Sequence, residues 1–299
     1  MAQDHCGVVG LPAAAASPSS RPLPVPEMTA VRAWFRPRES NATDRDERQA
    51  DIILVGTGVG GGLQLTVEAQ RVLDKVGKAY ALHLPVALRR HLRSLRIKTV
   101  DLSERFAEPR PLSEAYVEVA DFLMERAAAE RSIVVLTPGS PLFLNSISRL
   151  LVLHGRRSGL DVQTFPGISP LEALLSYVGV DVATFGLQVF TANRLASSST
   201  RLDPTVPLAV VELAGVDVQN SAADPSAEPK RYGRLLRALA NAYPAEHPAT
   251  LVNVTGGSGR RNHATLPLRR FSEFLPNIRE NSHLFIDVIR PQQQQPKER

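Results

Sequence analysis

Two patterns of apolar residues alternate along the middle of the chain: short β-branched runs, and stretches with apolar residues three or four positions apart. Residues 51–55 (DIILV) have the composition of a buried strand. Apolar positions from about 63 to 76 share one helical face and predict an amphipathic helix. A second strand is predicted at 78–82. A strand, a glycine-rich turn, a helix and a strand in this order are typical of the opening of an α/β domain.

The same alternation continues to the middle of the chain. Ser113 is expected to cap a helix that runs to about Glu130, because a serine side chain can accept a bond from a free amide at a helix start. Buried strands are predicted at 133–136 (IVVL) and 162–165 (VQTF), with a helix ending near His154 between them.

A clear helix start follows the second of these strands. Ser169, Pro170 and Glu172 occupy the N-cap, N1 and N3 positions of a capping box with the favoured proline. Beyond about Gly186 the pattern predicts further strands and one helix. The strands are expected at 208–213, 250–254 and 283–289, and the helix at about 230–242, after a polar linker at 217–229.

Composition divides the chain into four parts. Residues 1–49 are rich in Ala, Pro, Ser and mixed charge, and we expect a disordered N-terminal extension there. Residues 291–299 (PQQQQPKER) have the composition of a solvated tail. Between them we expect an N-terminal α/β domain at 51–186 and a C-terminal α/β domain at 187–290.

Overall composition narrows the class of protein without giving its function. The 299 residues carry a net charge of +5, which is too mild to require a nucleic-acid-binding face. The single cysteine, Cys6, leaves no internal disulfide and no cysteine-rich metal site. No apolar run approaches the ~18 residues of a membrane span. We therefore expect a soluble protein of a reducing compartment, the cytoplasm.

Three turns follow predicted strands and are candidates for a binding site. Gly56, Gly58 and Gly61 form a G-x-G-x-x-G pattern after the first strand, and two proline-glycine turns at 137–141 and 166–169 follow later strands. Both proline-glycine turns lead into a helix, so they are expected at the carboxyl edge of one sheet, where open α/β folds bind ligands. Their exposed amides would offer donors to a carboxylate or a hydroxyl.

Taken alone, the glycine-rich turn leaves two interpretations open. The pattern between a strand and a helix is that of a dinucleotide site, which would make the chain an NAD(P)-dependent oxidoreductase. A dinucleotide site also requires an acidic residue about 20 positions later, at the end of the second strand. Here that strand ends at Leu82 and His83, without a carboxylate. The other interpretation is a tight turn that needs positive φ and close helix packing.

In order along the chain, VGTGVGGG, IVVLTPGSPLFL and VQTFPGISPLEALLSYVGVD resemble the tetrapyrrole methylase superfamily, the class III S-adenosylmethionine-dependent methyltransferases. The resemblance covers 51–181 well and the remainder to 290 through its strand–helix layout. It implies a two-domain α/β fold with the donor site in the interdomain cleft, S-adenosylmethionine as cofactor, no metal, and a small-molecule or peptide acceptor. A homodimer is expected by analogy.

The resemblance also implies which residues form the site. Ser140 stands where the family usually has an aspartate, which leaves the role of that carboxylate open. Gly56, Gly58 and Gly60 would face the acceptor, with His83 as a further candidate on that side. The donor would contact Pro138, Gly139, Ser140, Pro141, Leu142, Gly167, Ile168 and Ser169, with Leu213 and Ala249 of the second domain closing over the adenine.

A narrower likeness concerns DLSERF at 101–106 and SEAYVEVADFLM at 113–124. These segments are similar to the borosin-type peptide backbone N-methyltransferases, which carry a tyrosine, an arginine and a second tyrosine at this spacing. Phe106 and Leu112 stand at the first two positions, Tyr116 is kept, and Arg110 lies two residues away from the arginine position. Tyr116 and Arg110 are therefore the catalytic candidates implied by the likeness.

Tyr116 has a second interpretation. It falls on the apolar face of its predicted helix, where core packing with a bonded hydroxyl is equally expected. An unperturbed tyrosine titrates near pH ~10, so Tyr116 would orient an acceptor rather than deprotonate it. The changes at Phe106, Leu112 and Ser140 leave open a non-catalytic binding protein with the methylase fold.

Basic residues gather near the end of the chain, and they have two interpretations. They could meet an anionic acceptor, or they could form a solvated loop and helix face. No aromatic residues interleave with them, which argues against nucleic acid. The residues are Arg260, Arg261, His263, Arg269 and Arg270.

Overall fold

The computed structural model describes residues 50–59, 64–108, 110–130, 132–197, 200–216, 229–254 and 263–289, which all belong to one compact unit, Gln49–Arg299. The expectations for 1–49 and 291–299, and those for Gly60, Gly61, Arg260 and Arg261, lie outside the described residues. Within these ranges, no helix is long and apolar enough to cross a membrane.

The first sheet has five strands, all parallel, in the order β3-β2-β4-β1-β5. Its strands are β1 Ile52–Gly56, β2 Lys78–Ala81, β3 Lys98–Asp101, β4 Ile133–Thr137 and β5 Val162–Phe165. The helices that follow or connect them are α1 Val67–Leu73, α2 Val86–Ser94, α3 Leu112–Glu130, α4 Ser146–Arg157 and α5 Pro170–Val178.

Both faces of the first sheet are covered, as parallel sheets require. Side chains alternate between the faces along β1: Ile53 and Val55 pack with the residues of α1 and α2, whereas Ile52 and Leu54 pack with those of α3 and α4. This burial on both sides explains why β1 and β4 have continuous apolar runs in the sequence.

The second sheet is mixed, in the order β6-β7-β10-β8-β9. The β6–β7 pair is parallel, and the other three pairs are antiparallel. Its strands are β6 Gln188–Thr191, β7 Leu208–Val211, β8 Pro248–Asn253, β9 His263–Pro267 and β10 Ser282–Ile286. The short helices are α6 Val182–Phe185, α7 Ala192–Ser197 and α8 Gly233–Ala240, with 3₁₀ segments at Ser103–Phe106, Leu213–Gly215, Pro229–Tyr232 and Leu268–Asn277.

One face of the second sheet forms a core with α7, α8 and Leu268–Asn277. The other face meets α5, because Leu174 packs in one cluster with Ala209, Val252 and Phe285. The α5 helix therefore links the two sheets.

The mixed α/β fold is confirmed, with corrections to individual elements. Ser113 is not the cap of α3: the helix begins at Leu112, and the carbonyl of Pro111 already accepts the amide of Ala115. The pattern missed α2, β3, β6, α6, α7, β9 and the 3₁₀ segments at Ser103–Phe106, Leu213–Gly215 and Leu268–Asn277. The boundary between 51–186 and 187–290 falls between β5 and β6 and stays a prediction.

Candidate functional site

The three turns expected to form a site lie side by side. They follow β1, β4 and β5, which are neighbours in the sheet and run in the same direction, so the turns share its carboxyl edge. Gly58 and Gly139 exchange two backbone bonds, of 3.1 Å from the Gly58 amide and 3.0 Å from the Gly139 amide. The first two turns are therefore joined directly through their backbones.

Glycine is required where these turns touch. A Cβ atom on Gly56 would lie 2.5 Å from the Gly167 nitrogen and 2.6 Å from the Gly139 oxygen, and one on Gly167 would lie 2.4 Å from the same oxygen. Side-chain carbons do not approach backbone atoms this closely, so each of these glycines makes room for the others. This gives Gly56 a packing role, and its predicted contact with substrate stays a prediction.

Gly58 and Gly139 also need glycine for their backbone angles. Their φ values are +72° and +65°, in the left-handed region that other residues rarely adopt. A Cβ atom on Gly139 would lie 3.2 Å from the Pro170 side chain, which places the second turn against the start of α5. The proline-glycine turn is thus fixed by its own backbone and by its neighbours.

Exposed apolar side chains project from two of these turns. Leu142 is 49% exposed and Ile168 is 38% exposed. Leu144 nearby has a φ of 58°, a strained value for leucine. Apolar groups left open beside backbone donors are a common feature of ligand sites. The predicted donor contacts at Leu142 and Ile168 are thus accessible.

The remaining predicted donor contacts of the first sheet are partly enclosed. Pro138 is exposed, Ser140 is half-buried, and Gly139 and Pro141 are buried. The Ser140 carbonyl accepts a 3.1 Å bond from the Phe143 amide.

The start of α5 is built as its sequence predicts. The Ser169 hydroxyl accepts the amide of Glu172 at 3.3 Å, and the Glu172 carboxylate accepts the amide of Ser169 at 2.9 Å. The capping box holds Ser169 and its turn in place. A groove of about 490 Å³ runs beside this start, lined in part by Val59, Gln64 and Ile168.

Tyr116 lies near the start of α3. This helix returns from the end of β3 to β4, so its first turn lies at the same edge of the sheet as the three turns. The Tyr116 ring is half-buried and packs edge-on against Phe106, with the ring centroids 6.0 Å apart. Burial raises the pKa of Tyr116, and the negative charge of Glu212 raises it further. Tyr116 therefore stays protonated at neutral pH.

Arg110 is engaged with its own neighbours near the start of α3. Its guanidinium forms an ion pair with Glu118 and donates a 2.7 Å bond to the Arg105 carbonyl. Glu118 is two residues from Tyr116 and lies about 200° around the helix from it. The catalytic role implied for Arg110 stays a prediction. His83 is exposed where β2 ends.

Leu213 and Ala249 lie in the core of the second sheet. Both side chains are 0% exposed and pack in the cluster on the face away from α5. A donor could reach these two positions only through backbone atoms, and their predicted contact with adenine stays a prediction.

Two titratable residues close to Leu213, Glu212 and His283, have no signal in the sequence. Glu212 follows β7 with a φ of 55°, and its amide donates a 3.3 Å bond to Nδ1 of His283 in β10. His283 is 3% exposed, and burial lowers its pKa to about 4. Glu212 is an exposed residue, and partial desolvation of its carboxyl raises the pKa of that group.

Two described members of the basic group, Arg269 and Arg270, are engaged with nearby acids. Arg269 forms an ion pair with Glu246, and Arg270 forms one with Glu273, each with atoms 2.5 Å apart. Both pairs are well exposed. These contacts favour the interpretation of a solvated surface.

Comparison with known proteins places this geometry in a family. The family model for tetrapyrrole (corrin/porphyrin) methylases matches residues 51–266. Uroporphyrin-III-C-methyltransferase from Thermus thermophilus superposes with a TM-score of 0.56 at 19% identity, covering 79% of this chain and 91% of that one. A structure of that enzyme complexed with S-adenyl homocysteine gives a TM-score of 0.55 at 19% identity, with coverage of 79% and 96%.

Curated relatives include the "Methyltransferase/ribosomally synthesized type I borosin cyclic peptide precursor cmaMA" of Coprinopsis marcescibilis. It is 23% identical over 206 residues, which are 67% of this chain and 51% of the relative. The type III borosin precursor aboMAa of Anomoporia bombycina is 20% identical over 173 residues, 58% of this chain and 20% of the relative. The chain thus spans about half or less of these relatives. From the family match, the chain belongs to the tetrapyrrole (corrin/porphyrin) methylase family.

Proposed function

We propose that the chain is an S-adenosylmethionine-dependent methyltransferase that acts on a peptide. The observation that carries the proposal is the set of interlocked turns after β1, β4 and β5, which presents Leu142 and Ile168 at the carboxyl edge of the first sheet. Membership of a methylase family supports methyl transfer over hydride transfer.

The residues present fit the methyl donor. A nucleoside has an apolar ring face and polar edges, and the turns offer exposed Leu142 and Ile168 beside backbone groups fixed by Gly139 and Gly167. When bound, the donor supplies a methyl group already activated on a sulfonium. The protein needs to hold the acceptor in line at ~3–3.5 Å and to exclude water.

A peptide acceptor is supported by the borosin relatives and by Tyr116. The printed names of those relatives combine a methyltransferase with a peptide precursor. Tyr116 keeps its proton, so its hydroxyl is suited to donate a hydrogen bond to a carbonyl oxygen of the acceptor. Phe106 and Leu112 differ from the borosin pattern, and the test below therefore measures turnover as well as binding.

Three further parts of the proposal concern organisation. The donor would lie between an N-terminal domain at 51–186 and a C-terminal domain at 187–290. Two copies would form a homodimer, by analogy with the family, and sedimentation velocity measures that directly. A cytoplasmic location fits the single cysteine, Cys6.

The donor assignment predicts the effect of a charge at Leu142. Leu142→Lys is expected to lower the affinity for S-adenosylhomocysteine at least tenfold. Binding would have to remove water from the lysine ammonium group, and burying that charge against the nucleoside is unfavourable. Leu142 is 49% exposed, so the melting temperature is expected to stay within a few degrees. Calorimetric titration measures the affinity. The matched control is Val117→Lys, at a 42% exposed valine on α3, which is expected to bind normally.

Mass spectrometry of small molecules released from the purified protein tests the cofactor. Recovery of S-adenosylhomocysteine is expected, whereas recovery of a nicotinamide dinucleotide would favour the oxidoreductase. A library of synthetic peptides with S-adenosylmethionine then tests the acceptor, with a mass gain of one methyl group per event. Donor binding without methylation of any peptide would contradict the peptide acceptor and favour a binding protein or a small-molecule acceptor.

A further inference from the structure

Positive charge is concentrated on α2 and on the four residues that follow it. Residues 86–98 (VALRRHLRSLRIK) contain five Lys and Arg residues and no acidic residue. The net charge of the whole chain is also +5, so the other residues balance one another. A local excess of positive charge attracts anionic partners.

Most of these cations lack an acidic partner. Arg89 forms a 2.9 Å ion pair with Asp101. The other four are exposed, and within the described part of the chain their side chains form no ion pair and no hydrogen bond. These four residues, called the α2 strip below, are Arg90, Arg93, Arg96 and Lys98. Their donors are therefore available to a ligand.

The members of the α2 strip lie next to one another. Arg90 and Arg93 are three positions apart on α2, so they are neighbours on its open side. The Arg96 amide donates a 3.0 Å bond to the Arg93 carbonyl. Lys98 follows two residues later, at the start of β3, which is an edge strand of the first sheet. One anionic segment can therefore contact several members of the strip.

Arg96 occupies a position where glycine is the usual residue. α2 ends in a Schellman motif, in which the Ile97 amide donates a 3.0 Å bond to the Leu92 carbonyl and the Arg96 amide bonds to Arg93. The motif holds Arg96 at a φ of 59°, which is unfavourable for a residue with a Cβ atom. No contact of its exposed side chain offsets that cost within the described residues. Conformations of this kind concentrate at functional sites.

The start of α2 is close to the three turns. β2 lies beside β4, and the Leu82 amide donates a 3.1 Å bond to the Leu136 carbonyl where the two strands end. The turn at 137–141 follows β4, and α2 follows β2, so both leave the same edge of the sheet. Arg93 lies about 10 Å along the helix axis from the start of α2. An extended peptide covers about 3.3 Å per residue, so one bound at the turns reaches the strip within a few residues.

We propose that the α2 strip binds an acidic segment of the peptide acceptor, an inference that rests on the function proposed above. Carboxylates suit arginine because its guanidinium can donate two parallel hydrogen bonds to them. Residues 86–98 contain no aromatic residue, whereas single-stranded nucleic acids are bound by stacking on aromatic rings. Val86 is the one large apolar side chain that α2 exposes, whereas helices that lie on membranes insert a row of them.

Fluorescence anisotropy with a labelled octaglutamate peptide tests the surface in the full chain. The parent is expected to bind about fivefold more weakly at about 300 mM salt than at about 50 mM, because salt screens exposed charges. Arg90→Glu/Arg93→Glu is expected to weaken binding at least about tenfold. The matched control is Arg149→Glu/Arg156→Glu, which makes the same change of charge on exposed arginines of α4 and is expected to bind within about twofold of the parent.

Arg96→Gly separates binding from folding, because glycine adopts the left-handed conformation without strain. Its melting temperature is expected to rise by about 2 °C, while its affinity for octaglutamate falls about threefold. Misfolding cannot explain weaker binding in a variant that is more stable than the parent. Absence of octaglutamate binding in the parent, or parent-like binding in Arg90→Glu/Arg93→Glu, would overturn the inference.

Methylation assays connect the α2 strip with the acceptor. A library peptide extended by glutamates is expected to have a KM about tenfold lower than the same peptide extended by glutamines, with kcat and the affinity for S-adenosylhomocysteine unchanged. The difference is expected to disappear in Arg90→Glu/Arg93→Glu.

The outcomes separate the strip from the proposed function. Equal KM values for the two extensions in the parent would overturn the inference and leave the proposed function standing. Tighter binding of single-stranded RNA than of octaglutamate would overturn it in favour of a nucleic-acid partner. If octaglutamate binds through Arg90 and Arg93 but no peptide is methylated, the binding surface stands and the proposed peptide acceptor fails.

Discussion

Gly167→Ala is expected to destabilise the protein by about 3 kcal/mol or more and to abolish binding of S-adenosylhomocysteine. The added methyl group would lie 2.4 Å from the Gly139 oxygen and 2.8 Å from the Gly56 carbonyl carbon. Both are backbone atoms of neighbouring turns, so neither can rotate away as a side chain would. Overpacking at a rigid site costs about 1–3 kcal/mol or more, and here relief requires the turns to separate.

Urea unfolding and calorimetric titration measure the two effects of Gly167→Ala. Gly77→Ala is the matched control, because a Cβ atom there would meet nothing within 4 Å. It is expected to change the free energy of unfolding by less than about 1 kcal/mol and to leave binding unchanged. Normal stability and normal binding in Gly167→Ala would show that the three turns do not interlock as described.

The parent protein is expected to lose about 3 kcal/mol of stability through His283 as the pH falls from 6.5 to 4. The pKa of this histidine is lowered by burial to about 4 in the folded state and returns to about 6.5 in the unfolded chain. Between these values the unfolded chain binds a proton that the folded protein does not, so acid favours unfolding. Above pH 6.5 both states are neutral at this residue, and its contribution is constant.

Comparing His283→Gln with the parent isolates the contribution of His283 to the pH dependence of stability. Glutamine can still accept the Glu212 amide but does not titrate, so the variant is expected to lose about 3 kcal/mol less between pH 7 and pH 4. Urea unfolding at several pH values gives the difference. His83→Gln, at an exposed histidine, is expected to follow the parent. If His283→Gln loses as much stability in acid as the parent does, the ring binds its proton at the same pH in the folded protein as in the unfolded chain, and the predicted contribution of His283 is wrong.

The first sheet could be predicted largely from its apolar pattern, because parallel strands covered on both faces have continuous apolar runs. β5 matches its prediction at Val162–Phe165, and α5 begins at its capping box as expected. The elements that were missed lack such runs. β3 (KTVD) is short and polar, and β9 is mostly exposed. The strand pattern alone cannot predict these elements, because their pairing partners determine them.

Part of the site followed from general rules and part did not. The meeting of the turns was predictable, since the strands before them are parallel and end at one edge. The need for glycine at position 56 could not be predicted, because it depends on where Gly139 and Gly167 lie in space. Glu212 and His283 were missed for a similar reason. A glutamate with positive φ has no signature in the sequence, and a histidine inside a strand becomes notable only once its burial is known.

The place of β1 in the first sheet has a consequence for the synthesis of the chain. Both neighbours of β1 come from later sequence: the bond from Ser132 to the Ala50 carbonyl spans 82 residues, and that from the Asp161 amide to Asp51 spans 110. Until those segments leave the ribosome, the apolar run IILVG has no backbone partners, and unpaired strands of this kind associate with other chains. Aggregation of the nascent polypeptide is therefore a hazard that this strand order creates.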